Sequence, residues 1–152
     1  EIVLEHAVAR DAAVEFVDRY KEFKQCPVFL YGEASGRIGE KHGQVSNYIE
    51  IEKVLRENGF TVQRKVPLAN PSIRDGQNSA RAKILSASGE RSLFVNPAKC
   101  PTLDKGLKTV QLKKGSTFIE DETNNAQHIT TALRYFTNVE FPPQGRATVR
   151  IR

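Results

Sequence analysis

The acidic residue Glu33 lies where α/β proteins build their functional sites. It follows residues 26–31 (CPVFLY), a continuous apolar run that is typical of a strand buried on both faces. In open α/β sheets, sites form at the carboxyl ends of the strands, and a carboxylate placed there can bind a hard cation through oxygen. Glu33 is therefore a candidate metal ligand, with an ordinary loop carboxylate as the alternative.

The glycines around Glu33 do not form a nucleotide-binding loop. A P-loop has Lys and then Ser or Thr directly after its last glycine, whereas Glu40 follows Gly39 here. The spacing of Gly32, Gly36 and Gly39 also differs from that of a dinucleotide fingerprint. Both loop classes are excluded by the sequence.

His128 and Thr131 lie in the last segment with helical periodicity, residues 125–136. Their spacing places both side chains on one helix face. An imidazole there could transfer a proton or orient a water molecule near a metal. A lone helical histidine is more often a packing or surface residue, and that alternative stays open.

Arg74 and Asp75 begin another predicted helix, after a polar segment interrupted by proline, residues 67–72. Helix starts favour anions, and an arginine fork can bind a phosphate through two hydrogen bonds. The alternative is a local surface pair of opposite charges.

Helix and strand patterns alternate along the chain. Strands are expected at residues 2–5, 26–31, 60–66 and 91–95. Helices are expected to begin near residues 11, 46, 73, 101 and 125. Asp11 is a candidate helix cap, Gly59 a helix stop, and residues 113–116 a turn. This alternation predicts an α/β fold with parallel strand pairings.

Size and composition agree with one globular domain. The chain has 152 residues, of which 39% are hydrophobic and 27% charged, and its net charge is +5. No apolar run has the length of a membrane span and residues 1–20 do not resemble a signal peptide, so we expect an intracellular protein. Cys26 and Cys100 lack the spacing of a zinc site. The absence of methionine predicts a fragment of a longer chain, with removal of the first residue as the alternative.

Taken in order, these segments resemble the nuclease domain of the terminase large subunit of tailed bacteriophages. That family carries an EIVLE-like strand, a strand ending in DASG, an SDY-like helix start, an NPPVRD segment, a GERxLFV strand and an HxxDALGY helix. The corresponding segments here are EIVLE (1–5), YGEASG (31–36), SNY (46–48), NPSIRD (70–75), GERSLFVNP (89–97) and HITTALRY (128–135). The likeness covers residues 1–142, which we expect to form the nuclease domain, and residues 143–152 form a basic tail.

The resemblance implies a ribonuclease H-like fold, with a mixed, mostly parallel sheet flanked by helices and lacking its first strands. It implies an endonuclease that cleaves concatemeric double-stranded DNA with two Mg²⁺ or Mn²⁺ ions held by three acidic residues. The implied partners are double-stranded DNA, the terminase ATPase domain, the small terminase subunit and the portal. The implied location is the host cell cytoplasm, with no membrane association.

The resemblance also assigns individual residues. Glu33 matches the acid that follows the central strand, and His128 matches the family histidine. Thr131 falls where the final Asp is expected, and the first Asp lies upstream of the EIVLE-like segment. Glu120, Asp121 and Glu122 are candidate surrogates for the missing carboxylate, with Asp121 or Glu122 the preferred ones and a solvated acidic turn as the alternative.

DNA contacts and alternatives complete the sequence-based hypothesis. Arg74, Lys83, Lys105 and Lys108 are candidate phosphate contacts that would give salt-sensitive affinity for any DNA sequence. Thr131 favours a second hypothesis, a catalytically degenerate DNA-binding or protein-docking module of the packaging motor. A third is another ribonuclease H-like enzyme, such as a resolvase or integrase core, against which the segments at 70–75 and 89–97 count. We expect the chain by itself to be inactive or nearly so, because one carboxylate cannot hold two cations.

Overall fold

The computed structural model describes residues 1–37, 45–121 and 125–143, which form five α-helices and two β-strands. In chain order the elements are α1 Ala9–Tyr20, β1 Val28–Leu30, α2 Asn47–Glu57, β2 Val62–Arg64, α3 Ile73–Ile84, α4 Pro101–Thr109 and α5 Gln127–Glu140. A short 3-10 helix, Lys21–Phe23, extends α1. Helices combined with a parallel strand pair confirm the predicted α/β class.

The two strands pair in parallel, with Val28 opposite Val62. Parallel neighbours need a crossover connection, and α2 lies in the connection between β1 and β2. The prediction that residues 26–31 are buried on both faces is wrong, because Phe29 is 43% exposed. The Lys65 ammonium lies 4.4 Å from the centroid of the Phe29 ring, so a cation partly covers this open face.

Two other expected strands, residues 2–5 and 91–95, are not strands in the structure. The amide of Ser92 donates a 2.9 Å hydrogen bond to the carbonyl oxygen of Lys83, near the end of α3. Phe94 is 78% exposed. In the described residues, these segments therefore have no neighbouring strand with which their β-type residues could form a sheet.

Local signals set the helix ends. Ser46 and Ser72 cap α2 and α3, since their hydroxyl oxygens accept hydrogen bonds from backbone amides in the first turn. Gly59 ends α2 with a φ of +87°, a conformation that glycine adopts without strain. The prediction that Asp11 caps α1 is wrong by three residues: Val8 is the cap, and the Asp11 carboxylate accepts its amide hydrogen at 3.0 Å.

The apolar core lies in the first half of the chain. Leu55, Phe60 and Val62 are its buried centre. The half-buried residues that pack around this centre are Phe16, Val17, Tyr20, Val28, Leu30 and Ile51. They come from α1, α2 and both strands, so burying them together fixes the two helices against the sheet.

The second half of the chain is a helical layer in which α3 and α4 both pack on α5. Gly106 permits the close approach of α4. A Cβ atom at Gly106 would lie 2.9 Å from the Ala126 carbonyl oxygen and 2.9 Å from Cγ2 of Thr130. A larger residue at this position would push α4 away from α5.

The end of α5 joins this helical layer to the sheet. Glu140 accepts hydrogen bonds from the Tyr31 hydroxyl and the Lys65 ammonium, both at 2.6 Å. Tyr31 and Phe136 also meet edge to face, with ring centroids 5.3 Å apart. Tyr31 follows β1 and Lys65 follows β2, so these contacts hold α5 beside the carboxyl ends of both strands.

The acid sensitivity of this joint can be measured. Hydrogen bonds from Lys65 and Tyr31 hold the pKa of Glu140 below its usual 4.5. A lowered carboxyl pKa contributes stability above 4.5, and this contribution is lost as the pH falls from there through the lower native value. We expect Glu140→Gln to flatten this part of the profile of unfolding free energy against pH, measured by urea denaturation. An unchanged profile would contradict the role of the joint, and Glu57→Gln, an exposed acid on α2, is the control.

Candidate functional site

The structure places Glu33 three residues after Leu30, the last residue of β1, at the carboxyl end of the parallel pair, as predicted. Its side chain is exposed. Residues 32–36, which we call the Glu33 loop, are held by two hydrogen bonds from distant parts of the chain. The Tyr48 hydroxyl on α2 donates to the Glu33 carbonyl oxygen at 2.7 Å, and the Ala34 amide donates to the side-chain oxygen of Asn70 at 2.5 Å.

The Tyr48 ring packs against the backbone of the Glu33 loop. A Cβ atom at Gly32 would overlap the Tyr48 hydroxyl oxygen, and one at Gly36 would lie 2.7 Å from Cε2 of the same ring. Glycine is therefore required at both positions for this packing. Tyr48 is only 7% exposed, and burial, followed by the negative charge of Glu33, raises its pKa to about 12. The phenol consequently stays protonated and donates its hydrogen bond at any physiological pH.

Helix α5 brings Tyr135 to the Glu33 carboxylate. Burial, the charge of Glu33 and a hydrogen bond to the Glu33 side chain all raise the pKa of Tyr135. His128, Thr131 and Tyr135 follow one another at steps of three and four residues, so they share one face of α5. Glu33 thus meets the helix face that the sequence predicted.

The meeting point lies farther along α5 than we expected. Tyr135, the residue that contacts Glu33, is seven positions after His128, or about 10 Å along a helix that rises 1.5 Å per residue. His128 is exposed. The structure therefore aligns Glu33 and His128 on one side of α5 but does not bring them into direct contact.

Thr131, at the position of the expected aspartate, is held by an arginine. Its hydroxyl oxygen accepts a hydrogen bond from Arg134 at 2.6 Å. Arg134 also forms an ion pair with Glu120 at 2.7 Å, and these two side chains are only 13% and 11% exposed. The Gln77 amide donates to the same oxygen of Glu120 at 3.1 Å. A guanidinium cation is therefore fixed beside Thr131 by a nearly buried carboxylate.

The structure limits the candidate surrogate carboxylates. Glu120 is committed to Arg134, and its second carboxylate oxygen is buried without a hydrogen-bond partner. The Asp121 backbone amide is bonded to the Gln111 carbonyl oxygen at 2.8 Å, while Glu122 lies outside the described residues. Within residues 1–37, 45–121 and 125–143, no cluster of three Asp, Glu, His or Cys side chains is arranged to hold a metal ion.

The candidate DNA contacts lie on two helices. Arg74, in the first turn of α3, stacks over the Phe118 ring at 5.3 Å, and Lys83, near its end, lies 4.1 Å from the centroid of Phe141. On α4, Lys108 pairs with Asp104 at 2.7 Å, and Lys105 is exposed. Of these residues, Arg74 is on the helix start that follows Asn70, the residue bonded to the Glu33 loop.

Sequence reasoning missed four residues that build the site. Tyr48, Asn70 and Tyr135 surround the Glu33 loop. Arg134 donates a hydrogen bond to the hydroxyl oxygen of Thr131. All four occur within the segments that carry the family resemblance. Their positions in those segments were the available signal, but their residue types alone did not indicate chemistry.

Comparison with known proteins adds no assignment. No protein-family model, curated protein or solved structure matches this chain. In the part of the chain that the structure describes, none of the helices has the length and apolar character needed to cross a bilayer.

The Arg134–Glu120 pair makes a testable contribution to stability. Arg134→Leu leaves the Glu120 carboxylate nearly buried without its cation, and breaking a buried pair in this way typically costs about 3–5 kcal/mol. We expect the double substitution Glu120→Leu with Arg134→Leu to recover much of that loss, because no uncompensated charge remains. Urea denaturation measures both effects. Wild-type stability of the Arg134→Leu variant would contradict this account. So would a double variant whose loss of unfolding free energy equals the sum of the losses in Arg134→Leu and Glu120→Leu.

Proposed function

We propose that this chain is part of the ribonuclease H-like nuclease domain of a viral terminase large subunit. In this proposal Glu33 is a ligand of a divalent-metal centre that cleaves concatemeric double-stranded DNA during genome packaging. The ATPase domain, the small terminase subunit and the portal are the partners that the resemblance suggests, and the host cell cytoplasm is the suggested location.

One observation carries the proposal: four of the six family-like segments meet in space around the Glu33 loop. They are segments 31–36, 46–48, 70–75 and 128–135, and residues 76–127 separate the last from the third. They come together through the hydrogen bonds of Tyr48 and Asn70 with the Glu33 loop and the contact of Tyr135 with the Glu33 carboxylate. Unrelated string matches have no reason to converge on one loop, so this convergence supports the resemblance.

The chemistry follows from the type and exposure of the side chain. Mg²⁺ and Mn²⁺ both prefer oxygen ligands, and an exposed carboxylate at the mouth of a sheet is open to a cation and to DNA. A bound cation would lower the pKa of its water and stabilise the leaving phosphate oxygen. His128, farther along the same face of α5, would position water or accept a proton, and Arg74 would contact a phosphate of the DNA.

A specific observation favours a second candidate function, a catalytically degenerate DNA-binding or docking module. The guanidinium of Arg134 is hydrogen-bonded to Thr131 at 2.6 Å, where the resemblance expects an aspartate. Thr131 offers only a hydroxyl, a weaker Mg²⁺ ligand than a carboxylate, and this hydroxyl is already engaged by the guanidinium of Arg134. In this alternative the fold keeps its affinity for DNA or for motor partners but has lost the cleavage.

A plasmid-cleavage assay tests the first candidate. We use the full-length natural polypeptide that contains these 152 residues, with Mn²⁺ and separately with Mg²⁺. Glu33→Ala is expected to reduce cleavage at least about 100-fold, since removing a metal ligand removes the charge stabilisation that the cation supplies. Glu57→Ala, an exposed acid on α2, is the matched control and is expected to cut like the wild type. Undiminished cleavage by Glu33→Ala would refute the assignment of Glu33.

The same assay separates the two candidates. Cleavage by the natural polypeptide that depends on Glu33 supports the nuclease. No cleavage by the natural polypeptide, together with cleavage by Thr131→Asp, identifies a degenerate site whose last carboxylate has been replaced. DNA retention on a filter, measured in parallel, shows whether affinity persists without cleavage.

A further inference from the structure

Tyr48 is a buried phenol with two functions in the local packing. Its ring fills the space left by the missing Cβ atoms of Gly32 and Gly36, and its hydroxyl donates to the Glu33 carbonyl oxygen at 2.7 Å. The Arg64 guanidinium lies on the ring, 5.6 Å from its centroid. The ring is therefore fixed on one side by β2 and contacts the Glu33 loop on the other.

We propose that Tyr48 is the positioning residue of Glu33: it fixes the backbone of the Glu33 loop so that the carboxylate points toward α5 and can bind a cation. This inference rests on the proposed function and extends it to a residue that itself touches neither metal nor DNA.

The geometry explains why a positioning residue is needed. Glu33 is exposed and lies in a loop that β1 supports only from one end, so its orientation depends on its neighbours, Tyr48 at the backbone and Tyr135 at the side chain. Ligands on a loop hold a metal well only when neighbouring groups fix their orientation, and loss of such a neighbour typically costs 10–100-fold in metal affinity. The Tyr48 hydroxyl acts on the backbone carbonyl of the ligand residue itself, which is a direct way to fix it.

Tyr48→Phe removes the hydroxyl and keeps the ring. In the full-length natural polypeptide we expect Mn²⁺ affinity, measured by titration calorimetry, to fall about 10-fold or more. We also expect faster hydrogen exchange at the Ala34 amide, whose bond to Asn70 depends on the loop conformation. Tyr20→Phe is the matched control, because it removes a phenol hydroxyl from α1, where the ring packs on Phe16 in the apolar core. The control is expected to retain wild-type Mn²⁺ affinity and wild-type exchange at Ala34.

A pair of glycine substitutions makes the test specific to the hydroxyl. The Cβ atom of Gly32→Ala overlaps the Tyr48 hydroxyl oxygen, and the nearest ring atom is 3.1 Å away. Tyr48→Phe should therefore relieve the clash. The loss of Mn²⁺ affinity in the double variant Gly32→Ala with Tyr48→Phe should then be smaller than the product of the fold-losses in the two single variants. The Cβ atom of Gly36→Ala meets the ring carbons at 2.7 and 2.9 Å, so Tyr48→Phe should not rescue that variant.

The outcomes distinguish this inference from the proposed function. If Glu33→Ala leaves Mn²⁺ affinity unchanged, the proposed function fails and the positioning role fails with it. If Glu33→Ala abolishes Mn²⁺ binding while Tyr48→Phe binds like the wild type, only the positioning role is refuted. Equal losses in Tyr48→Phe and Tyr20→Phe would likewise refute it, because they would indicate general destabilisation.

Discussion

The docking of α5 on the carboxyl ends of β1 and β2 is the constraint on which the candidate site depends. Glu140 receives hydrogen bonds from Tyr31 and Lys65 at 2.6 Å, and Phe136 packs edge to face on Tyr31. The Lys65 and Glu140 side chains are 28% and 29% exposed, so solvent screens their attraction and the pair adds little to stability. An aromatic pair adds roughly 0.5–1.5 kcal/mol beyond its buried area. Packing therefore contributes most of the free energy that holds α5 on the sheet, while the charged groups determine which part of α5 contacts the sheet.

Because α5 is fixed at this end, its preceding turn presents Tyr135 to the Glu33 loop. Three separate layers of the fold then meet at one acidic residue: β1 carries Glu33, α2 supplies Tyr48, and α5 supplies Tyr135. The glycines of the loop are part of the same arrangement, because only residues without Cβ atoms admit the Tyr48 ring. The site thus consists mainly of neutral groups that position the Glu33 carboxylate.

The cation of Arg134 gives the neighbouring part of α5 a different character. It is neutralised by Glu120, and both side chains are nearly buried. Such a pair gains little stability relative to apolar residues, but it is costly to break, so it holds the segment before α5 against α3 and α5. Glu120, one of the candidate replacement ligands, is therefore already paired with Arg134, and the hydroxyl of Thr131 accepts a hydrogen bond from the same guanidinium.

The sequence by itself determined the features that depend on near neighbours in the chain. Ser46 and Ser72 cap their helices, Gly59 ends α2 and Pro101 begins α4, because these effects involve atoms within one turn of helix. It also placed Glu33 after a strand that pairs in parallel.

Only the tertiary structure decided the rest. Within the described parts of the chain, the β-type residues at 2–5 and 91–95 have no strand to pair with, since sheet formation requires a partner that local preference does not specify. Helical spacing put His128, Thr131 and Tyr135 on one face of α5, but the Glu140 contacts set which turn of that face meets Glu33. The partners of Tyr48 and Arg134 lie 15 and 14 residues away, at distances that only chain packing can fix.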